Sequence, residues 1–166
     1  IKSIGGEFGV SYGTTPELMF NTTANQTQLS SVYQSGAVTS GTRIACGGGT
    51  VMVVGNSKSP SYQNTCHVSY DSGVNWTQKT NPGTDTQEPD DLMYFNGSFY
   101  MIWKGSIWKT TNTGSSWSQT LAPNNGGFRR IQNDGKYLYA IYTATINSGN
   151  YGGSANECGF MRSINN

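Results

Sequence analysis

The sequence is short of charge: Asp, Glu, Lys and Arg make up 11% of it, against about a quarter in an ordinary soluble domain. Ten basic and nine acidic residues leave a formal net charge of +1, with no basic stripe. Nucleic acid is therefore not expected as a partner, because it selects clustered Lys and Arg. No apolar stretch approaches the roughly 20 residues of a membrane-spanning helix, so a membrane partner is not expected either. Histidine occurs once and cysteine three times, and Cys46, Cys66 and Cys158 have no CxxC spacing. No metal and no cofactor is expected on that count. The cysteines read as small buried core residues, and a Cys66–Cys158 disulfide needs neighbouring outer strands to meet. Strong helix formers are scarce and no segment repeats its apolar residues every 3.6 positions, so helix content should be close to zero.

What is present is Gly, Ser, Thr and Asn between short runs rich in Tyr, Val, Ile, Thr and Trp, the composition of β-strands and tight turns. The most informative of these stretches occurs twice. Ser69-Tyr70-Asp71-Ser72-Gly73-Val74-Asn75-Trp76 returns 41 residues later as Thr110-Thr111-Asn112-Thr113-Gly114-Ser115-Ser116-Trp117. Both follow Ser/Thr, any residue, Asp/Asn, any, Gly, any two, Trp. Each fixed position answers a need of a β-turn. The Asp or Asn oxygen accepts hydrogen bonds from the turn's own N–H groups, and Gly supplies a residue with positive φ. The Ser or Thr adds a second side-chain bond to the backbone, and the indole returns apolar area beneath the turn.

Repeats continue outside the turn. Arg43–Val54, Leu92–Trp103 and Arg130–Tyr142 each read as an apolar strand, a glycine turn and a second apolar strand, with Asn96-Gly97 and Asp134-Gly135 marking hairpins. The alignment places Gly49, Gly97 and Gly135 at one structural position. The unit is strand A, tight turn, strand B, loop, strand C, eight-residue turn, strand D. A third copy of that turn opens at Ser163 and Asn165. Its Gly and Trp would lie past Asn166, so the sequence predicts a piece of a longer polypeptide. Phe8–Gly13 and Leu18–Phe20 read as strands C and D of a degenerate preceding unit.

The eight-residue turn resembles the Asp-box, or BNR repeat, of sialidases and related proteins, where it caps a hairpin on each blade of a β-propeller. The resemblance implies an all-β, incomplete β-propeller of about three four-stranded antiparallel blades. It divides residues 1–166 into a partial blade and linker at 1–40 and blades at 41–80, 89–122 and 127–166. About three blades fall short of the four to eight of a closed propeller. Further blades from the same chain or other subunits are thus expected to cover the ends, since unpaired strand edges are templates for pairing. Ser69, Asp71, Gly73, Trp76, Thr110, Asn112, Gly114, Trp117, Ser163 and Asn165 are on this reading scaffold.

Ligands of such propellers bind at the opposite end of the strands, near the axis. Two features lie there. The loop from Thr77 to Asp91 holds Asp85, Glu88, Asp90 and Asp91, four of the nine acids within seven residues. They could act as acid and base, as calcium ligands, or as a solvated loop. Arg43, Arg129 and Arg130 stand at the entrance to strand A, with Asp91 at the matching place of the middle unit. An arginine fork suits carboxylate or phosphate, and the alternative is a surface arginine paired with the acidic loop. Trp103, Tyr62 and Tyr151 are candidates for stacking on sugar rings from the B–C loops. Sequons at Asn21, Asn25, Asn75 and Asn96 are expected by chance in so Asn- and Thr-rich a chain.

Three functions fit. A sialidase-like glycoside hydrolase needs an arginine triad, a Tyr–Glu pair and an acidic residue over a full ring, and the chain has four arginines. A carbohydrate- or host-receptor-recognition module of a secreted or virion protein, such as a phage tail fibre, suits the low charge and the aromatic content. A structural propeller used for protein contacts is the third. The expected ligand is a glycan or cell-surface receptor, bound by Arg43, Asp91, Arg129, Arg130, Glu88, Trp103 and Tyr151 in an extracellular or virion-associated setting.

Overall fold

A computed structural model describes residues 2–4, 7–12, 17–21, 30–34, 38–57, 64–82, 87–122, 126–148 and 153–163, with side chains described within 43–55, 65–82, 87–122, 126–143 and 158–163. Every regular element among them is a strand. Four antiparallel sheets follow one another along the chain, each built in sequence order. The first holds β1 (Lys2–Ile4), β2 (Glu7–Tyr12), β3 (Glu17–Asn21) and β4 (Ser30–Gln34). The second holds β5 (Val38–Gly47), β6 (Thr50–Ser57), β7 (Asn64–Ser69) and β8 (Thr77–Lys79). The third holds β9 (Asp91–Phe95), β10 (Ser98–Trp103), β11 (Ser106–Thr110) and β12 (Ser118–Leu121), and the fourth holds, among the described residues, β13 (Gly127–Asn133), β14 (Leu138–Ser148) and β15 (Gly153–Arg162).

The first sheet corrects the reading of the N-terminal region. Of Phe8–Gly13 and Leu18–Phe20, expected as third and fourth strands, residues 8–12 and 18–20 fall on β2 and β3, the second and third of four. A short strand pattern carries no information about its place in a sheet.

Inner strands are apolar on both faces because a sheet lies on each side. Val51, Met52, Val53 and Val54 of β6 are all buried. One core joins Ala45, Met52, Val54, Cys66 and Val68 of the second sheet to Leu92, Phe99, Met101 and Trp103 of the third. Another joins Ile102 and Ile107 of the third to Phe128, Ile131 and Ala140 of the fourth. Each fully buried aliphatic or Phe side chain contributes about 1.5–3 kcal/mol, so the stack of sheets is held by their faces. The outermost strand β12 is exposed throughout, and its residues Ser118, Gln119 and Thr120 are polar accordingly.

The hairpin turns also amend the repeat alignment. Gly48 and Gly49, like Asn96 and Gly97, have positive φ at both turn positions, the two-residue turn whose twist matches the strands. Their closing pairs are Gly47 with Thr50 and Phe95 with Ser98. In the fourth sheet the last pair is Asn133 with Leu138, and Asp134 N–H donates to the Tyr137 carbonyl at 3.3 Å. Gly135 therefore holds the first turn position, equivalent to Gly48 and Asn96, one place short of Gly49 and Gly97. Asp134 fixes this turn by accepting from Lys136 and Tyr137 N–H and from the Tyr139 hydroxyl. Those bonds, led by the Tyr137 N–H, lower its pKa to about 2.

Candidate functional site

The two eight-residue turns are built alike from their own residues. Ser69 Oγ and Thr110 Oγ1 donate to Asp71 Oδ1 and Asn112 Oδ1 at 2.8 and 2.9 Å. The same hydroxyls accept from Gly73 N and Gly114 N at 2.7 and 2.9 Å. Asp71 Oδ1 accepts from Asn75 N and Asn112 Oδ1 from Ser116 N. One bond reverses direction: Asn75 Nδ2 donates to Asp71 Oδ2 at 2.6 Å, whereas Asn112 Nδ2 donates to Ser116 Oγ at 2.8 Å. An Asp can only accept when ionised and an Asn amide must donate, and the residue four places on matches each. Asp71 is held below the usual carboxylate range, first by the Asn75 N–H, then by the Asn75 amide and the Ser69 hydroxyl.

The indoles diverge. Trp76 Nε1 donates to its own turn at the Gly73 carbonyl, 2.7 Å. Trp117 Nε1 reaches the preceding sheet at the Thr80 carbonyl, 2.8 Å, and packs against the core between the second and third sheets. Tyr70 and Thr113 hydroxyls, one from each turn, meet at 2.7 Å. The Trp117 and Tyr70–Thr113 bonds tie the second and third sheets together. Ser163 stands at the corresponding start in the fourth sheet, with its N–H donating to the Leu138 carbonyl and its Oγ accepting from Leu138 N–H. Asn165 lies outside the described residues.

At the other end of the strands, three of the four arginines converge on one residue, Asp90. Arg43 Nε donates to the Asp90 carbonyl at 2.8 Å, and Arg130 Nη1 donates to the same oxygen at 2.9 Å. Arg129 Nη1 lies 3.4 Å from Asp90 Oδ1 as an ion pair. The remaining carboxylate oxygen, Oδ2, is buried without a hydrogen-bond partner. Asp90 is itself anchored by its N–H, which donates to the Ile102 carbonyl at 2.8 Å. Arg43 sits on β5 and the other two on β13, so the second and fourth sheets reach across the third to this point.

Two contacts fix the height of β13. Asp91 is buried, and its carboxylate accepts from Leu92 N–H at one oxygen and from Ile131 N–H at the other, both at 3.0 Å. Gly105 and Gly127 touch backbone to backbone, and a Cβ on Gly105 would lie 2.8 Å from the Gly127 Cα. The Phe128 N–H donates to the Gly105 carbonyl at 2.9 Å. Gly105 also has a φ of +68°, so it is the residue this approach requires.

Several expectations are corrected here. Asp91 faces the sheet junction and is consumed as a structural acceptor, leaving it unavailable to a ligand. Trp103 is no loop residue: it ends β10, is 5% exposed, and donates from Nε1 to the Gln87 carbonyl at 2.9 Å. Its segment closes in a two-residue turn, Lys104-Gly105, too short to present a platform. The acidic run does not act as a cluster, since Glu88 is exposed, Asp90 faces arginine and Asp91 is buried. Asp85, Tyr62 and Tyr151 lie outside the described residues. Among the described residues no His, Cys, Asp and Glu side chains gather as metal ligands. Cys66 is buried, which raises its thiol pKa to about 12, but Cys158 is exposed and Cys46 half-buried, and all three are free thiols. In the sequence, Asp91 and Glu88 stood forward as ligand residues and Asp90 only as part of the acidic loop. The one signal was its position immediately before strand A, opposite the arginines.

No family model matches the sequence, and no curated protein matches it. Solved structures do. An ancestral GH74 enzyme superposes with a TM-score of 0.65 at 15% identity over 99% of this chain and 24% of its own. The xyloglucan PUL GH43B of Bacteroides ovatus gives 0.56 at 12% identity over 98% of this chain and 38% of its own. YCF48 bound to a D1 peptide gives 0.55 at 17% identity over 88% and 47%. The chain thus spans less than half of each of these proteins. At such identities the likeness extends to the fold alone, which the four successive sheets and these neighbours together establish as all-β and of the propeller type.

Proposed function

We propose that the chain is part of a recognition module that binds an acidic ligand, a carboxylate-bearing glycan or receptor glycan, at the arginine cluster around Asp90. The observation that carries this is the convergence of Arg43, Arg129 and Arg130 from two sheets onto one aspartate. Arg43 and Arg130 donate to the Asp90 backbone carbonyl and only Arg129 pairs with its carboxylate, which leaves net positive charge at the cluster. A planar fork of donors suits a carboxylate. Glu88, exposed beside the cluster, is the remaining candidate from the sequence.

On this reading the eight-residue turns are Asp-boxes that serve as scaffold, the setting is extracellular or virion-associated, and further blades complete the ring. Binding is preferred to hydrolysis because a glycosidase needs two free carboxyl groups roughly 5–10 Å apart. Asp91 is consumed in the backbone and Asp90 is held by arginine, which leaves Glu88 among the described acids of this loop. A second reading, a propeller for protein contacts, is favoured by the outer face of the fourth sheet. There Ile141 and Phe160 form a cross-strand pair and are 47% and 75% exposed.

A glycan array spanning neutral and acidic sugars tests the proposal. Binding restricted to acidic glycans, lost in Arg130→Ala and in Arg129→Ala, supports it. Binding of neutral glycans untouched by either substitution, or no glycan binding at all, discards it.

A further inference from the structure

Around Asp90 the backbone is fixed and the side chain is not. Its N–H donates to the Ile102 carbonyl at 2.8 Å, and its own carbonyl accepts from Arg43 and Arg130 at 2.8 and 2.9 Å. Before it stands Pro89, buried, whose ring restricts the backbone. After it comes Asp91, buried and accepting from two N–H groups. Every one of these bonds is made by the main chain of Asp90 or by its neighbours.

The Asp90 carboxylate has much less. Oδ1 meets Arg129 Nη1 at 3.4 Å, against about 2.7–2.9 Å for a close charge-assisted bond. Oδ2 is buried with no hydrogen-bond partner among the described residues. An oxygen taken from water without a donor costs stability, and an ion pair with an arginine that is 53% exposed returns little. The contact that remains, one carboxylate on the Arg129 fork, is the contact an acidic ligand would make.

We infer that the Asp90 carboxylate is an internal stand-in for the ligand: it occupies Arg129 in the free protein and gives it up when an external carboxylate binds. The inference rests on the acidic-ligand reading above and adds a specificity-determining residue to it. Exchange breaks no covalent bond and no backbone hydrogen bond, since rotation about the Asp90 side-chain torsions is sufficient. It returns Oδ2 to water and replaces one long contact with a two-bonded arginine–carboxylate pair. Asp90 thereby sets a threshold. A neutral hydroxyl gains too little to displace an ion pair, whereas a ligand carboxylate replaces it in kind.

The test is calorimetric titration of the native chain, Asp90→Ala and Asp90→Asn with the trisaccharide of galacturonic acid, with galactotriose as the neutral control. Both substitutions keep every backbone bond of residue 90. Asp90→Ala should bind the acidic trisaccharide about fivefold or more tightly than the native chain, because no ion pair has to be broken and a like charge is gone. Asp90→Asn, neutral but still able to accept from Arg129, should gain less. Asp90→Ala should also unfold at no lower denaturant concentration than the native chain. Unchanged or weaker acid binding by Asp90→Ala, or a lowered unfolding midpoint, would overturn the inference and make Asp90 a ligand contact or a brace. Equal gains for Ala and Asn would overturn it too, by reducing the effect to net charge. Arg129→Ala separates the inference from the reading beneath it. Acid binding that is lost in Arg129→Ala but not improved in Asp90→Ala leaves the recognition site standing and removes the stand-in, and no acid binding by any of the chains removes both.

Discussion

The two ends of the strands are held together in different ways. At the eight-residue turns, the bonds that shape each turn join residues two to four apart, as from Gly73 to Ser69 and from Asn75 to Asp71. At the arginine end they join residues 39 to 47 apart, all meeting at Asp90. Local bonds satisfy a turn completely and leave little for a ligand. Long-range bonds are set by how sheets stack, and here they leave guanidinium donors partly used and one carboxylate oxygen unpartnered. That difference separates a brace from a candidate site more clearly than residue type does.

The largest expected effect tests whether Trp103 belongs to the brace. Trp103→Ala removes a buried indole and should cost about 3–5 kcal/mol of stability in denaturant titration, with ligand affinity of the remaining folded protein unchanged. A small stability loss with abolished glycan binding would return Trp103 to the site. Asp91→Ala strands the buried Ile131 N–H and should cost about 1–3 kcal/mol. Asp91→Asn, which keeps one acceptor oxygen, should recover part of it in the same titration.

The turns provide a comparison by pH. Asp71 has a lowered pKa in the folded chain, so its stabilising contribution is complete above the ordinary carboxylate pKa of about 4 and is lost as pH falls through the native value. The cost of Asp71→Ala, measured by thermal melting, should therefore shrink between neutral pH and about pH 3. The cost of Asn112→Ala should stay constant over the same range. Equal pH dependence of the two would mean that the carboxylate is not what distinguishes them. The smallest effect on stability belongs to Arg129→Ala. Its side chain is 53% exposed and its ion pair is 3.4 Å long, so the cost should be about 0–1 kcal/mol, while binding of an acidic glycan is lost. A stability loss without a binding change would make Arg129 part of the brace.

Much of the fold was legible because its units are local. An Asp or Asn four residues before the N–H it caps, and a Gly where φ is positive, announce their turn wherever they fold. The hairpin dipeptides did the same, although Asp134-Gly135 shows the limit, because a dipeptide does not specify which turn position its Gly occupies. The candidate site was legible only in part. Arg43, Arg129 and Arg130 stood out by aligned position, but so did Asp91, which the alignment put forward as a ligand residue in place of Asp90. Adjacent residues on a strand face opposite ways, and only the stacked sheets decide which carboxylate is buried against the Ile131 N–H and which meets arginine. Trp103 was misplaced for a related reason: aromatic residues are apolar and polar at once, and the chain does not say whether sheet or solvent will cover the ring.

By itself, then, the sequence determined an all-β chain of repeated hairpins and the geometry of its turns, because those depend on residues within hydrogen-bonding reach along the backbone. Tertiary structure alone decided that three arginines share Asp90 and that Asp91 and Trp103 are interior. Each of these depends on which face of one sheet lies against the next, and that is set by packing across roughly 40 residues of chain.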